Sequence, residues 1–167
     1  MDKDVNKLIA YLKYLGFRFN TSDFDSRFNV QKIAFILKSM GIDVNYRFHL
    51  WKHSPYCTLL SDDYYKYNTH FSDSDYIISK NEKRILNRFS KIMDMDQKLL
   101  ESVSTIILLD LVYSNVGVVI KKIKEIKPHL SDIEIIDGQN RAKELLFKDE
   151  FLTEELRNQI LEWEQID

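Results

Sequence analysis

The 167-residue sequence is poor in cysteine, proline and glycine, with one, two and four of each. A single cysteine, Cys57, excludes an internal disulfide and a cysteine-rich zinc site. The scarcity of glycine and proline excludes collagen-like and linker-like chains. No apolar run approaches the roughly 20 residues that a bilayer-spanning helix needs. These absences leave an ordinary globular protein as the class to consider.

The chain also lacks a large excess of charge of either sign, because its formal net charge is -2. A chain so balanced has no bulk attraction to nucleic acid, although a local basic patch can still exist. Apolar and charged residues make up 44% and 30% of the chain, which is a usual globular mixture. We therefore expect a single compact domain over residues 1–167. Residues 1–7 are charged and lack the apolar core of a secretory signal, which favours a cytoplasmic location.

Apolar residues spaced three and four apart predict helices along most of the chain. Gly16 and Gly41 are suited to ending the first two helices. Asp110 is the only polar residue between 106 and 113, so the helix that contains this stretch should be the most enclosed. Ser79 with Glu82, and Ser131 with Glu134, stand at capping-box spacing. The expected helices cover residues 4–15, 26–40, 59–67, 80–93, 96–113, 116–127 and 132–147, the last bent or split at Asp137-Gly138, and a final helix is capped by Thr153 and carries Leu156, Ile160 and Trp163.

The period changes to two between Asn45 and Trp51, which predicts a strand. Tyr46, Phe48 and Leu50 would form its apolar face. Ser54-Pro55 is expected to end the strand, because proline lacks a backbone donor, and residues 76–78 could return beside it. The fold class is therefore mainly α, with six to eight helices and a small β-hairpin or short strand element.

Reactive or metal-binding constellations are weak, so we expect no catalytic residues, no metal, no cofactor and no enzyme activity. Zinc on His49, His53, Cys57 and His70 is disfavoured because four extended residues span roughly 13 Å. Cys57 as a nucleophile lacks an evident oxyanion site. The acidic residues Asp62, Asp63, Asp73 and Asp75 lack calcium-loop spacing, so a solvated loop is favoured over a hydrolase site.

Two basic groups suggest an alternative, nucleic-acid-binding function, because phosphate contacts need clustered cations. Glu82 and Glu125 interrupt these groups, and helix surfaces are often rich in lysine for solubility. The solvated-face interpretation is therefore preferred over the nucleic-acid one. The two groups are Lys80, Lys83, Arg84, Arg88 and Lys91 within 80–91, and Lys121, Lys122, Lys124 and Lys127 within 121–127.

The order of motifs over residues 28–63 resembles a known family. Phe28-Asn29-Val30-Gln31-Lys32-Ile33-Ala34-Phe35-Ile36-Leu37 is followed by Tyr46-Arg47-Phe48 and then by Trp51-Lys52-His53-Ser54-Pro55-Tyr56. This succession of helix, β segment, Trp-x-x-Gly-Pro-Tyr-like turn and helix resembles the YwgA-type proteins, which are similar to the Panacea, or SocA-like antitoxin, domain. Ser54 here replaces the usual Gly and Cys57 the usual Ser, which puts the turn geometry in question.

The resemblance implies a small, mainly helical, non-enzymatic module that contacts another protein, in some members as an antitoxin or proteolytic adaptor. It transfers neither a partner nor an oligomeric state. The residues themselves suggest where contact occurs, because Trp51 beside Arg47 is a pairing enriched in binding hot spots. The alternative is that Trp51, His53, Pro55 and Tyr56 merely pack the turn against the helix. The predicted partner-binding surface comprises Gln31, Lys32, Arg47, Trp51, His53 and Tyr56.

Overall fold

A computed structural model describes residues 2–71 and 73–146. These residues form seven α-helices, one 3₁₀ turn and one two-stranded antiparallel sheet. A mainly α fold with a small β-hairpin is thereby confirmed. In chain order the elements are α1 (Lys3–Tyr14), α2 (Phe24–Ser39), β1 (His49–Trp51), β2 (Ser54–Tyr56), α3 (Thr58–Lys66), the 3₁₀ turn (Asn68–His70), α4 (Lys80–Ile92), α5 (Gln97–Val112), α6 (Val116–Ile126) and α7 (Asp132–Leu146).

Helix α5 is the centre of the core, as the sequence predicted. Residues 99–109 are buried except for Glu101, and the helix packs against α2, α6, α7 and β2. Asp110 lies on the exposed edge of the helix. Burial of such an apolar segment contributes roughly 25 cal/mol for each Å² removed from water, which makes α5 the main source of packing energy.

Helices α5 and α7 run in the same direction. Lys98 near the start of α5 pairs with Glu134 near the start of α7 (3.6 Å), and Gly138 lies against Ser102 and Ile106. The expected break at Asp137-Gly138 is wrong, because α7 continues through it to Leu146. Gly138 instead allows close approach, since a Cβ there would lie 2.8 Å from the Ser102 hydroxyl oxygen.

The helix ends follow the local signals in the sequence. Gly16 and Gly41 both have positive φ, at 74° and 109°, as expected for residues that terminate helices. Ser79 and Glu82 form the predicted capping box. The Glu82 carboxylate also accepts hydrogen bonds from the hydroxyls of Tyr11 (2.6 Å) and Tyr76 (2.8 Å), so it ties α4 to α1.

The β structure differs from the prediction in extent and partner. Only His49–Trp51 forms the first strand, and its partner is Ser54–Tyr56 and not residues 76–78. Residues 42–48 keep the alternating burial without a paired strand. Pro55 does not end the sheet, because it lies opposite Leu50, one step from the pair next to the two-residue turn. Hydrogen-bonded and non-hydrogen-bonded pairs alternate, so that position needs no donor from Pro55.

The predicted helix capped by Thr153 lies outside the described residues. Within the described part of the chain, no helix combines the length and apolar character required to traverse a lipid bilayer.

Candidate functional site

The β-hairpin has a strained turn. Lys52 and His53 both adopt left-handed backbone conformations, with φ of 45° and 69°. A two-residue turn of this type favours Asn-Gly, and other residues adopt it at a cost of roughly 1 kcal/mol each. Serine in place of the family's usual glycine at position 54 does not strain the turn. The left-handed positions are Lys52 and His53, and Ser54 belongs to β2.

The hairpin presents an aromatic surface to solvent. We define the hairpin surface as Arg47, Leu50, Trp51, His53 and Tyr56. All are exposed except Tyr56, which is half-buried, and Trp51 keeps 48% of its area exposed. The Trp51 and Tyr56 rings lie 4.7 Å apart, and the Lys52 ammonium lies over the Trp51 ring. Leu50 was expected on an inward face but is exposed, because all of β1 is exposed while its partner β2 packs against α2 and α5.

Gln31 does not lie on this surface, so the prediction of an exposed Gln31 is wrong. The residue is buried, and its amide group makes two hydrogen bonds to the backbone of Cys57. The Gln31 Nε2 donates to the Cys57 carbonyl oxygen (3.0 Å), and the Cys57 N–H donates to the Gln31 Oε1 (2.9 Å). This amide clamp fixes the end of β2 and the start of α3 against α2.

Lys32 is also buried, contrary to the same prediction. None of its side chain is exposed, and its Nζ atom lies over the Phe28 ring without a hydrogen-bond partner among the described residues. Burial lowers the pKa of the Lys32 ammonium to about 6, the nearby Lys127 charge acts in the same direction, and the Glu101 carboxylate opposes both. Lys32 therefore titrates close to neutral pH.

Beneath the hairpin lies an ionic cluster, which we define as Lys32, Ser54, Glu101, Lys127 and His129. The Lys127 ammonium contacts the Glu101 carboxylate at 2.9 Å and donates to the Ser54 hydroxyl at 3.1 Å. The His129 Nε2 lies 3.0 Å from the same Glu101 oxygen. Burial alone would raise the pKa of Glu101, but the Lys127 hydrogen bond and the neighbouring positive charges hold it below its usual value.

Sequence reasoning missed Glu101 and the role of Lys127. Lys127 was assigned to a basic surface group, although only 6% of its side chain is exposed. A weak signal was available, because Glu101 is the only charged residue within the otherwise apolar and small-polar stretch 99–109. A charge in such a position is almost always paired, and its partner had to come from another element.

The residues considered for metal or acid-base chemistry are dispersed or occupied. The part of the chain that the structure describes contains no group of three or more His, Cys, Asp or Glu side chains able to hold a metal ion. Cys57 is buried. Asp63 is buried and accepts a hydrogen bond from the Tyr46 hydroxyl (2.9 Å), whereas Asp75 accepts one from Asn6 (2.7 Å).

The basic residues divide between exposed positions and internal contacts. Lys80, Lys83, Arg84 and Lys91 are exposed on α4. Arg88 instead donates from Nε to the Glu144 carbonyl oxygen (3.1 Å), which ties α4 to α7. In the second group, Lys124 pairs with Asp132 (2.9 Å), and Lys122 lies 3.5 Å from Glu125. The second group therefore offers less unneutralised charge than its composition suggested.

Comparisons with protein-family models, with curated proteins and with solved structures gave no match. The resemblance of residues 28–63 to the YwgA-type and Panacea families stays a prediction.

Proposed function

We propose that this chain is a non-enzymatic protein-interaction module that binds a protein partner through the hairpin surface. The observation that carries the proposal is Trp51, which is half-exposed on the outer strand β1 and lies with its ring 4.7 Å from that of Tyr56. Tryptophan, tyrosine and arginine dominate the energetics of protein interfaces, and Arg47 is exposed on the same segment.

The way in which the hairpin is fixed to the rest of the protein supports the same proposal. Strand β2 is held at both ends, by the Gln31 amide clamp at Cys57 and by the hydrogen bond from Lys127 to Ser54 beside the turn. A surface that is ordered before binding loses less conformational entropy on association. The two strained turn residues also fit a binding role, since backbone strain is concentrated at functional sites.

The family resemblance favours a particular context for the partner. We place the module in a toxin-antitoxin, mobile-element or defence system, where the partner is a toxin-like or effector protein. A toxin-like neighbouring reading frame would supply the first partner to test. The cytoplasm is the expected compartment of the complex.

Site-specific photocrosslinking tests the proposal. The full chain with a photoreactive residue in place of Leu50, next to Trp51, is expected to crosslink one protein in cells of the source organism. Trp51→Ala should then remove the crosslink and weaken the purified complex by at least about 30-fold, which corresponds to a hot spot of about 2 kcal/mol.

A matched control is Ile77→Ala, because Ile77 is 88% exposed and lies outside the hairpin surface. This variant should bind within about threefold of the wild type, as most exposed positions do. Repeated failure to recover a partner, or equal affinity of the Trp51→Ala and wild-type chains, would contradict the proposal.

Nucleic-acid binding is the second candidate, supported by the exposed cations Lys80, Lys83, Arg84 and Lys91 on α4. Phosphate neutralisation predicts that affinity falls steeply with salt. An electrophoretic shift measured at two salt concentrations, with a Lys83→Glu/Arg84→Glu variant, separates the two functions. A shift that is lost in this variant and retained in Trp51→Ala would favour nucleic acid.

A further inference from the structure

An open groove lies beside the C-terminal half of α1 and the residues that follow this helix. Its volume is about 570 Å³, within the range of roughly 300–1,000 Å³ found for small-molecule sites. Ile9 and Leu12 from α1 contribute buried apolar side chains, and Phe71 closes one wall. Phe19 stacks on Phe71 with ring centres 4.5 Å apart, and Phe17 lines the groove beside it. The groove therefore has an apolar, largely aromatic interior.

Two cations border this apolar interior. Lys13 and Arg18 both line the groove and are exposed, and neither has an ion pair or side-chain hydrogen bond within residues 2–71 and 73–146. Among the residues that the structure describes, no carboxylate lines the groove. A Cβ added at Gly16 would meet no atom within 4 Å, so the space between the cations is open.

Charge around Lys13 is not uniform, and this orients a ligand. A second concavity of about 550 Å³ shares Lys13 but is also lined by Asp73 and Asp75. Arg18 lines the apolar groove and does not line this second concavity. An anion bound between Lys13 and Arg18 is thus attracted by both cations and repelled from the acidic side.

We propose that this groove binds a small amphiphilic carboxylate. Its apolar body lies against Phe17, Phe19 and Phe71, and its carboxylate pairs with Lys13 and Arg18. Apolar burial supplies affinity without direction, whereas charge-assisted hydrogen bonds to guanidinium and ammonium groups select the anionic head. This inference goes beyond the proposed docking role of the hairpin surface and does not depend on it.

A series of three probes with one tail tests the head-group preference. Laurate, dodecanol and dodecyltrimethylammonium, each below its micellar concentration, are titrated into the full-length protein while backbone amide NMR shifts are recorded. Laurate should shift Leu12, Phe17 and Phe19, with an affinity at least about tenfold higher than that of dodecanol. Dodecyltrimethylammonium should bind no better than dodecanol.

Charge reversal provides the sharper comparison. Lys13→Glu/Arg18→Glu should exchange the preference, losing at least about tenfold in laurate affinity and gaining affinity for dodecyltrimethylammonium. Lys121→Glu, an exposed cation on α6, is the matched control and should bind laurate like the wild type. Both replaced groove cations are exposed, so the variant is expected to remain folded.

Three outcomes would overturn the inference. The first is equal binding of laurate and dodecanol. The second is laurate-induced shifts confined to the apolar residues Leu111, Val112 and Val116. The third is dimerisation of the free protein that closes the groove and that the Lys13→Glu/Arg18→Glu variant abolishes. None of them bears on the hairpin surface, because the groove residues lie outside it. Loss of the Trp51-dependent complex would leave laurate binding unchanged.

Discussion

Among single residues, Lys32 shows how strongly burial can disfavour the charged form of a side chain. Its ammonium is wholly buried against Phe28, and its charge is only partly compensated by Glu101. Its folded-state pKa of about 6 lies below the ordinary value, so between these pH values the unfolded chain binds more protons than the folded one. Stability therefore rises as the pH increases from about 6 towards 10.5.

Lys32→Met removes this penalty while keeping a long, flexible side chain. At pH 7 we expect the variant to be about 2–4 kcal/mol more stable than the wild type, with the difference shrinking to under about 1 kcal/mol at pH 10. Urea unfolding followed by circular dichroism at several pH values measures the unfolding free energy of each chain and its dependence on pH. The exposed Lys121→Met is the control and should change neither quantity. Equal pH dependence of the Lys32→Met and wild-type chains would contradict the pKa shift.

Periodicity could not reveal the position of Lys32 or Gln31. The apolar residues Val30, Ile33 and Ile36 define a stripe that leaves both polar residues outside it. Every residue from 30 to 37 is nevertheless buried, because α2 is enclosed on all sides by other elements. A polar residue on an enclosed helix carries no sequence mark that distinguishes it from a solvated one.

Among the elements, the hairpin turn offers a second prediction. Lys52→Asn/His53→Gly supplies the residues that a turn with two left-handed positions favours. We expect stabilisation by about 1–2 kcal/mol, measured by urea unfolding. The same pair of changes at the exposed positions Lys121 and Lys124 of α6 should destabilise, since glycine weakens a helix. Destabilisation by the hairpin variant would show that the side chains of Lys52 or His53 make a compensating contact.

The contact between α5 and α7 gives a third prediction. In most helices Gly→Ala is stabilising by about 1 kcal/mol, but a Cβ at Gly138 would lie 2.8 Å from the Ser102 hydroxyl and 3.0 Å from Ile106. We expect Gly138→Ala to lower the unfolding free energy by about 1–2 kcal/mol. Ser102→Ala in the same chain removes the closest atom and should recover part of the loss. Additive effects of the two changes in a double-mutant cycle would argue against a steric cause.

Local signals account for how well the elements could be predicted. The caps at Ser79 and Glu82 and the helix-ending Gly16 act within a few residues, and the helices appear where these signals placed them. Ser54-Pro55 was expected to end the first strand, and residues 76–78 were considered as a possible returning strand. A proline opposite Leu50 is tolerated in a two-stranded hairpin, and that depends on the register, which the sequence pattern does not specify.

At the scale of the whole molecule, the ionic cluster connects parts of the chain that are distant in sequence. The Lys127 ammonium reaches Ser54, 73 residues earlier, and the Glu101 carboxylate lies between Lys127 and His129. The exposure of Arg47, His49 and Trp51 was predictable from alternation within one segment. The cluster beneath them was not, because it exists only once α2, α5, the hairpin and the turn after α6 are packed together.

The cluster should therefore govern both global stability and the order of the hairpin. Glu101→Gln keeps the shape of the side chain but leaves the buried Lys127 ammonium group without a compensating charge, whereas Lys32, with a pKa of about 6, is mostly neutral at pH 7. Breaking one partner of a buried ion pair costs about 3–5 kcal/mol, and we expect a loss of that size in urea unfolding at pH 7. The folded-state pKa of Glu101 is below its ordinary value, so its contribution is present above the unfolded-state pKa and is lost as the pH falls below it.

Glu101→Gln should consequently lower the unfolding free energy at neutral pH and also weaken its dependence on pH in the acid range. Amide hydrogen exchange in β2, which the cluster holds through Ser54, should accelerate more than exchange in α1, which has no hydrogen bond or ion pair to the cluster within residues 2–71 and 73–146. The second variant, Glu101→Gln/Lys127→Met, removes the uncompensated charge of Lys127 and should recover part of the stability. Equal acceleration in β2 and α1 would mean that Glu101 contributes only to global stability and does not hold the hairpin. The ionic cluster would then no longer support the preorganisation of the hairpin surface.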